Sequence, residues 1–288
     1  MCPAPLGNEH AAKHLIRSML PNGLEISEDV AGSAIVRKPG EKPGLTFFAS
    51  LSQPVVLVTG KKADGAWELQ PLGTGKTLEP MNGWKVMDSS GAQAKLEVKD
   101  GELRLTEDKG VQIGSLLTRQ PDWTQDALSV SCAGIEDRVG CWLLTELLRE
   151  MPDVKAEITC IFLAQEQHCT KVAELAMNET DAAVAIRLGS AKVNDINLTG
   201  APVNAGGGPV LKLRERYVST DGRLMDLEQM ACREAGVPFQ YEVLELDVTG
   251  LYTAQYGHCG VVVGGIDVPA EEGRILLTDL RDTRALVM

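Results

Sequence analysis

The stretch FLAQEQHC, residues 162–169, places four chemically active side chains at the end of an apolar run. They are a carboxylate, an amide, an imidazole and a thiol: Glu166, Gln167, His168 and Cys169. Because the preceding run AEITCIFL has the texture of a buried strand, we expect it to deliver these groups to one edge of a sheet. Their types indicate a metal site or an acid–base site at that edge.

Competing interpretations exist for the histidines and cysteines. Residues 168–169 and 258–259 are both His-Cys dipeptides, and each could supply new ligands or a nucleophile pair. Adjacent residues on a strand point to opposite faces, so a dipeptide does not easily act as a unit, although a loop would relax this for residues 168–169. Ordinary packing of these side chains is the favoured interpretation.

His10 and His14 lie one helical turn apart, a spacing that could hold a metal. No carboxylate or thiol joins them, so we expect both to lie on an exposed helix surface.

Two glycine-rich segments resemble nucleotide-binding loops only superficially. PLGTGKT, residues 71–77, lacks the glycine that a phosphate loop needs, because Gln70 stands five positions before Gly75. NAGGGPVL, residues 204–211, lacks the GxGxxG spacing and precedes a strand instead of a helix. We predict a loop for each.

The sequence pattern predicts two kinds of secondary structure in the parts of the chain that must position these residues. Residues 47–128 consist of short β-like runs separated by turn signals, including a predicted hairpin at KDG, residues 99–101. After Cys132, strand-like and helical runs alternate, and the strands are apolar along their length. Such strands are covered by helices on both faces of a largely parallel sheet, which predicts an α/β domain interrupted by a small β module.

The spacing of apolar residues predicts which face of one helix, residues 223–236, is buried. RLMDLEQMACREAG ends at Gly236, which we predict to be its C-cap. Its apolar stripe consists of Leu224, Leu227, Ala231 and Ala235.

Composition narrows the classes of partner. With 28 Lys+Arg against 40 Asp+Glu, the formal charge of −12 disfavours nucleic acid and anionic membranes, which need clustered cations. No run approaches the length of a spanning helix, and the first residues lack a basic segment followed by an apolar core. The seven cysteines are odd in number and form no CxxC pair, so we expect reduced core thiols and a cytoplasmic protein.

Five motifs in a fixed order carry a family resemblance: CPAPLGNE, EDRVGC, AQEQ, NAGGGPVLKL and CREAGVPFQYEV. The series resembles the co-catalytic zinc aminopeptidases of metallopeptidase family 42, which include the tetrahedral aminopeptidases. The resemblance implies a phosphorylase/hydrolase-like three-layer α/β domain at residues 1–52 and 129–288, with an inserted β dimerisation domain at residues 53–128. It also implies two divalent metals at the carboxyl edge of the sheet and a homo-oligomer of at least two subunits. In the resembling enzymes, the glycines that match residues 206–208 let the backbone lie close to the mouth of the site, and we expect the same here.

Carried over position by position, the family pattern loses metal ligands in this chain. The histidine and aspartate that follow the first core strand fall on Ser50 and Ser52, and a neutral serine is a poor zinc ligand. The bridging aspartate falls on Glu136, and the neighbouring Asp137 is retained. The longer carboxylate of Glu136 could still bridge two metals.

The second half of the pattern contains the general base and the remaining ligands. The base falls on Glu166, and the ligand beside it falls on Gln167, which carries no charge. The aspartate at the end of the next strand falls on Arg187, which places a fixed cation where a metal would lie. The last ligand, a histidine, falls near Glu272.

These substitutions lead to a hypothesis about the site. Without metals the carboxylates would repel one another, and the guanidinium of Arg187 could fork onto Glu136 or Glu166 in place of the ions. We therefore expect no metal cofactor. The alternative is zinc or another divalent ion bound by Glu136, Glu166 and Glu272.

Three functions of different class follow. The favoured one is a family member without peptidase activity that keeps a pocket for a peptide or small molecule, or an oligomeric scaffold role. The second is a metal-dependent aminopeptidase that acts on peptide N-termini with altered ligands and uses Glu166 as the base. The third is a structural or regulatory partner that co-assembles with an active paralogue. Fold alone does not choose among them, because function resides in the site.

Overall fold

The computed structural model describes residues 4–73, 81–151, 154–194, 202–244 and 261–288. Its helices are α1 (His10–Met19), α2 (Val139–Glu150), α3 (Lys171–Asn178), α4 (Gly222–Ala235) and α5 (Leu277–Val287). Its strands, in chain order, are β1 (Glu25–Glu28), β2 (Ala34–Lys38), β3 (Glu41–Ser50), β4 (Val55–Lys61), β5 (Trp67–Leu72), β6 (Lys85–Met87), β7 (Gln93–Lys99), β8 (Glu102–Lys109), β9 (Leu116–Arg119), β10 (Thr124–Gln125), β11 (Ser129–Ser131), β12 (Ala156–Leu163), β13 (Ala182–Lys192), β14 (Val210–Glu215), β15 (Val218–Ser219), β16 (Gln240–Leu244), β17 (Val262–Ala270) and β18 (Arg274–Leu276). None of the helices in these ranges is both long and apolar enough to cross a membrane.

A nine-stranded mixed sheet forms the centre of the structure. Its order is β1-β2-β12-β3-β13-β17-β14-β15, and β16 also pairs with β14. The four central strands β12, β3, β13 and β17 are parallel neighbours, whereas β1, β2, β14 and β15 join the sheet through antiparallel pairs. The predicted α/β fold is therefore confirmed, and its parallel part is the centre of a mixed sheet.

Successive residues of β12 face different helices. Cys160 and Phe162 belong to a core cluster that includes residues of α2, whereas Ile161 and Leu163 belong to a cluster that includes residues of α3. All four side chains are completely buried. Burial of a large apolar side chain stabilises the fold by about 2 kcal/mol, so both faces of the strand contribute. The predicted cover of helices on both faces is present.

Helix α2 approaches the sheet closely at Gly140. A Cβ atom there would lie 2.3 Å from the carbonyl oxygen of Leu188 on β13 and 2.9 Å from Cβ of Ala49 on β3. Only glycine fits this contact without a shift of the backbone. The contact fixes the start of α2, and with it the preceding Glu136 and Asp137, against the ends of the central strands.

The inward face of α4 differs from the prediction. Leu227 is 56% exposed and Ala235 is also exposed. The buried residues of this helix are Leu224, Met225, Glu228 and Cys232. Met225 and Cys232 join the main core cluster, so the helix is rotated relative to the predicted stripe and places a carboxylate in the interior. The predicted C-cap is confirmed, because Gly236 has the left-handed φ of 66°.

A separate six-stranded antiparallel sheet, which we call the β module, is built from residues 55–119. Its order is β5-β4-β9-β6-β7-β8. The predicted hairpin is confirmed, since Asp100 and Gly101 connect β7 to β8 with φ values of 54° and 75°, as a type I′ turn requires. The sheet lies within the predicted insertion at residues 53–128, whose bounds stay a prediction. A third sheet, β10-β11-β18, joins two strands that follow the β module in sequence to β18, which precedes α5.

Candidate active site

The segment after β12 turns sharply and separates the four side chains singled out in the sequence. Gln165 adopts a left-handed φ of 57°, and its carbonyl oxygen accepts hydrogen bonds from the backbone N–H groups of His168 and Cys169 at 3.0 and 2.9 Å. Glu166 is only 6% exposed and Gln167 is half-buried. His168 and Cys169 are exposed, so the expectation that they pack is wrong. The turn therefore presents the carboxylate and the amide to the interior.

The other histidine predictions have different outcomes. His10 and His14 are both exposed on α1, as expected for a solvated helix face. The second His-Cys dipeptide, residues 258–259, lies outside the described residues.

Three of the predicted site residues meet at the carboxyl edge of the sheet. The backbone N–H of Gln167 donates to Oγ of Ser52 at 3.3 Å, and its side-chain Nε2 donates to Oδ1 of Asp137 at 3.4 Å. Burial raises the pKa of Asp137 to about 7, and the charge of Glu136 adds to this effect. Ser50 lies nearby at the end of β3, where its carbonyl oxygen accepts a hydrogen bond from Sγ of Cys141 at 3.0 Å.

Arg187 lies on β13 and points to two carboxylates. Its Nη1 donates to Oδ1 of Asp267 at 3.1 Å, and its Nε lies 4.0 Å from Oε1 of Glu166. Its side chain is 12% exposed. Glycine at position 189 makes room for this pair, because a Cβ there would lie 2.4 Å from Nη1 of Arg187 and 2.8 Å from Oδ1 of Asp267. The sequence hypothesis is thus correct in pairing Arg187 with Glu166, but it missed the closer partner, Asp267.

A second buried cation, Lys212 on β14, was also missed. Its Nζ lies 2.9 Å from Oε2 of Glu242, 3.0 Å from Oδ2 of Asp267 and 3.6 Å from Oε2 of Glu215. The contact to Asp267 is an ion pair without hydrogen-bond geometry, whereas Lys212 does donate a hydrogen bond to Glu242. Burial alone lowers the pKa of this lysine, but the three carboxylates outweigh burial and raise it. Burial and the charge of Asp267 raise the pKa of Glu242, against the opposing effect of Lys212.

Together these residues form a buried chain of alternating charge, which we call the charge ladder. It runs from β16 across β14, β17 and β13 to the turn after β12, in the order Glu242, Lys212, Asp267, Arg187 and Glu166. Buried charges are tolerated only when they are paired, so each member depends on its neighbours. A signal existed in the sequence, since Lys212 and Asp267 interrupt otherwise apolar strand runs.

The remaining two predicted carboxylates pair with a different arginine. Nη1 of Arg119, at the end of β9 in the β module, lies 3.3 Å from Oε1 of Glu272 and 3.9 Å from Oε1 of Glu136. Oε2 of Glu136 also accepts a hydrogen bond from the backbone N–H of Gly273 at 3.1 Å. Burial raises the pKa of Glu136, although this N–H and the charge of Arg119 oppose the shift. The predicted pairing of Arg187 with Glu136 is therefore wrong, because Arg119 is the arginine beside Glu136.

The acidic and imidazole side chains do not converge into a metal shell in the described part of the chain. No group of three or more His, Cys, Asp or Glu side chains there is placed to hold an ion. The carboxylates instead face Lys212, Arg187 and Arg119, each of which already provides a positive charge. Electrostatically, the arrangement is a set of internal ion pairs.

Of the two glycine-rich segments, the one at residues 204–211 begins as a loop that leads into β14. The backbone N–H groups of Gly206 and Gly208 donate to the carboxylate of Asp279 at 2.8 and 3.1 Å. A Cβ at Gly208 would lie 2.1 Å from the carbonyl oxygen of Pro238, so the backbone approaches Pro238 closely at this glycine. Its approach to the mouth of the site stays a prediction. In the other segment, β5 includes the first two residues, and residues 74–77 lie outside the described part.

Comparison with known proteins gives this arrangement its context. The sequence profile described as M42 glutamyl aminopeptidase matches residues 96–286. The chain belongs to this family. A putative aminopeptidase of Acetivibrio thermocellus is 23% identical over an alignment that covers 91% of this M42-family chain and 86% of the relative. The resemblance found from the five sequence motifs is confirmed.

Solved structures of other peptidases share the fold of this M42 protein. The TET aminopeptidase of a marine sediment Thaumarchaeota archaeon superimposes with a TM-score of 0.89 at 17% identity, covering 99% of this chain and 92% of that one. The TET1 peptidase of Pyrococcus horikoshii, which can assemble into a tetrahedron or a large octahedral shell, gives a TM-score of 0.84 at 18% identity, with coverage of 100% and 95%. At these identities the similarity establishes the fold.

Proposed function

We propose that this M42-family protein lacks the two-metal centre and peptidase activity, and that arginine–carboxylate pairs take the place of the metals. The observation that carries the proposal is that every carboxylate of the alternative metal set faces an arginine. Glu166 lies 4.0 Å from Nε of Arg187. Glu272 and Glu136 lie 3.3 and 3.9 Å from Nη1 of Arg119. A divalent ion would have to displace both guanidinium groups to use these three side chains.

The side chains at the sheet edge do not fit the zinc chemistry that the family resemblance implies. That chemistry needs imidazole and carboxylate ligands, whereas the matching positions carry Ser50, Ser52, Gln167 and Arg187. Hydroxyl and amide groups are weak zinc ligands, and a guanidinium repels a cation. We therefore infer no reaction step through a metal.

Glu166 keeps the position of the general base in the family, but its surroundings favour a different role. A base of this kind activates a metal-bound water, and the developing negative charge needs a Lewis acid or oriented donors. Here the carboxylate is an end member of the charge ladder. We propose that it anchors the ladder and that the edge above it binds a peptide or small molecule without hydrolysing it.

Self-association is the second part of the proposal. Relatives with the same fold include the Pyrococcus horikoshii TET1 peptidase, which assembles into a tetrahedron or an octahedral shell. This supports a homo-oligomer of at least two subunits, with residues 53–128 as the dimerisation domain. The protein could also act as a structural or regulatory partner of an active paralogue. In that case the two proteins should co-purify.

The proposed setting is the cytoplasm. The described cysteines are all unpaired, as expected in a reducing compartment: Cys132, Cys141, Cys160, Cys169 and Cys232. The formal charge of −12 makes nucleic acid and anionic membranes unsuitable partners.

An aminopeptidase assay tests the proposal against its alternative. The purified protein is incubated with Zn²⁺, Co²⁺ or Mn²⁺ and a panel of chromogenic aminoacyl amides, beside a tetrahedral aminopeptidase as the positive control. The proposal predicts no metal-dependent release and no difference between the wild type and Glu166→Gln. Metal-dependent release that Glu166→Gln abolishes would support an aminopeptidase with altered ligands and contradict the proposal.

A further inference from the structure

Arg119 connects the β module to the edge of the candidate site. The arginine ends β9, a strand inside the six-stranded sheet, but its guanidinium contacts two carboxylates that lie outside the β module. Glu136 precedes α2, and Glu272 lies in the turn between β17 and β18. One side chain of the β module thus contacts two separate elements of the large domain.

Within the β module, the guanidinium of Arg119 stacks on the ring of Trp84. The guanidinium carbon of Arg119 lies 4.4 Å from the ring centroid of Trp84, a contact in which the ring face attracts the cation. Only 22% of the Arg119 side chain is exposed, so the stack and the two ion pairs enclose it. A planar guanidinium can stack on a ring and pair with carboxylates through its edge at the same time, which an ammonium does less well.

The carboxylate of Glu136 contacts a backbone N–H as well as Arg119. Its Oε1 faces Arg119, while its Oε2 accepts the hydrogen bond from the backbone N–H of Gly273. Gly273 follows Glu272 directly, so the two carboxylates and this N–H form one compact unit around the guanidinium. Without Arg119, the Glu136 carboxylate would lose its neighbouring cation.

We propose that Arg119 is a positioning residue through which the β module fixes Glu136 and the β17–β18 turn at the edge of the site. A displacement of the β module, such as one caused by subunit pairing on that sheet, is then transmitted to Glu136 through one guanidinium. The inference rests on the proposed function, in which Glu136 pairs with Arg119 and does not bind a metal.

Hydrogen exchange of the Gly273 amide tests this proposal directly, because that N–H reports the position of Glu136. The full-length metal-free protein is compared with Arg119→Met, with the conservative Arg119→Lys, and with Arg104→Met as a control. Arg104 lies on β8 of the same sheet and contacts Asp100 and Glu102 there. Exchange is followed at single-residue resolution at low and high salt.

The proposal predicts exchange at Gly273 that is roughly two- to fivefold faster in Arg119→Met, with partial recovery in Arg119→Lys and no change in Arg104→Met. High salt should reduce the difference, because it screens the ion pairs. Faster exchange confined to β6 and β9, with the Gly273 amide unchanged, would mean that Arg119 only stabilises its own sheet and would overturn the proposal.

Two further variants keep the test independent of the folding of Arg119→Met. Glu272→Gln weakens the pairing at a side chain that is 54% exposed, and Trp84→Phe weakens the ring contact. Both should lower the protection factor of the Gly273 amide, a quantity that corrects for the change in intrinsic exchange rate caused by Glu272→Gln. An unchanged protection factor in both variants would contradict the proposal. Metal found in the wild-type protein would contradict the proposed function itself, so the two failures are distinguishable.

Discussion

Replacing Glu228 with Gln should stabilise this protein, and increasingly so as the pH rises. Glu228 lies on α4 and is 4% exposed. Neither of its carboxylate oxygens has a hydrogen-bond partner among the described residues, and a Cβ added at Gly264 on β17 would lie 2.6 Å from Oε1. Burial raises the pKa of this carboxyl from 4.5 to about 8.

The sign and size of the effect follow from proton linkage. Below pH 4.5 the carboxyl is neutral in both the folded and the unfolded chain, so it causes no pH-dependent penalty. Between pH 4.5 and about 8 the folded chain holds a proton that the unfolded chain releases, so the free energy of unfolding falls as the pH rises. The loss is about 1 kcal/mol at pH 5 and about 3 kcal/mol at pH 7.

The assay is urea unfolding of wild type and Glu228→Gln at pH 5, 7 and 8.5, at one protein concentration. A neutral amide removes the ionisation, so the variant should gain about 2–3 kcal/mol at pH 7 and under about 1 kcal/mol at pH 5. Glu234→Gln, at an exposed position of the same helix, should stay within about 0.5 kcal/mol of wild type at each pH. If the difference between Glu228→Gln and wild type does not change with pH, the reasoning is refuted.

Two further predictions concern the charge ladder. Lys212→Met removes the cation that three buried carboxylates share and should lower the free energy of unfolding by about 3–5 kcal/mol. Lys171→Met, at an exposed position, should have little effect, and equal urea midpoints for the two variants would contradict the prediction. Gly189→Ala places a Cβ 2.4 Å from Nη1 of Arg187 and should cost about 1–3 kcal/mol, whereas Gly222→Ala meets nothing within 4 Å. A crystal structure of Gly189→Ala should show Arg187 displaced. If the guanidinium of Arg187 keeps its position, the proposed role of Gly189 in making room for it would be contradicted.

Much of the fold could be predicted because it rests on local signals. The apolar run of β12 indicated a strand buried on both faces, and the alternation of Ile161 and Phe162 between two helical layers follows from the period of a strand. The Asp-Gly pair at residues 100–101 predicted a two-residue hairpin because both positions need a positive φ. These features depend on residues close together in sequence.

The buried face of α4 could not be predicted because it includes the carboxylate of Glu228, whose burial is unfavourable. A periodicity argument leaves a glutamate outside the core, since carboxylates are rarely buried without a partner. The helix instead turns Met225 and Cys232 inward and brings Glu228 with them. Only the shape of the surrounding core, formed by distant parts of the chain, decides between these faces.

The candidate site was predicted in part for a similar reason. Ser52, Gln167 and Asp137 are in contact at one edge of the sheet, where the family resemblance implied that they would lie. The partner of Arg187 was missed because Asp267 lies 80 residues away in the chain, on a strand whose pairing with β13 no local pattern specifies. The same holds for Arg119, which reaches Glu272 across 153 residues.

Metal content is the most direct test of the central claim that arginine–carboxylate pairs have replaced the metal centre. The protein is purified from medium and buffers that contain zinc, cobalt and manganese, and the metals are then quantified by elemental analysis beside a tetrahedral aminopeptidase treated identically. We predict far less than one metal ion per chain, unchanged in Glu166→Gln. About one or two ions per chain, lost on Glu166→Gln and accompanied by anomalous scattering beside Glu136 and Glu166, would contradict the account.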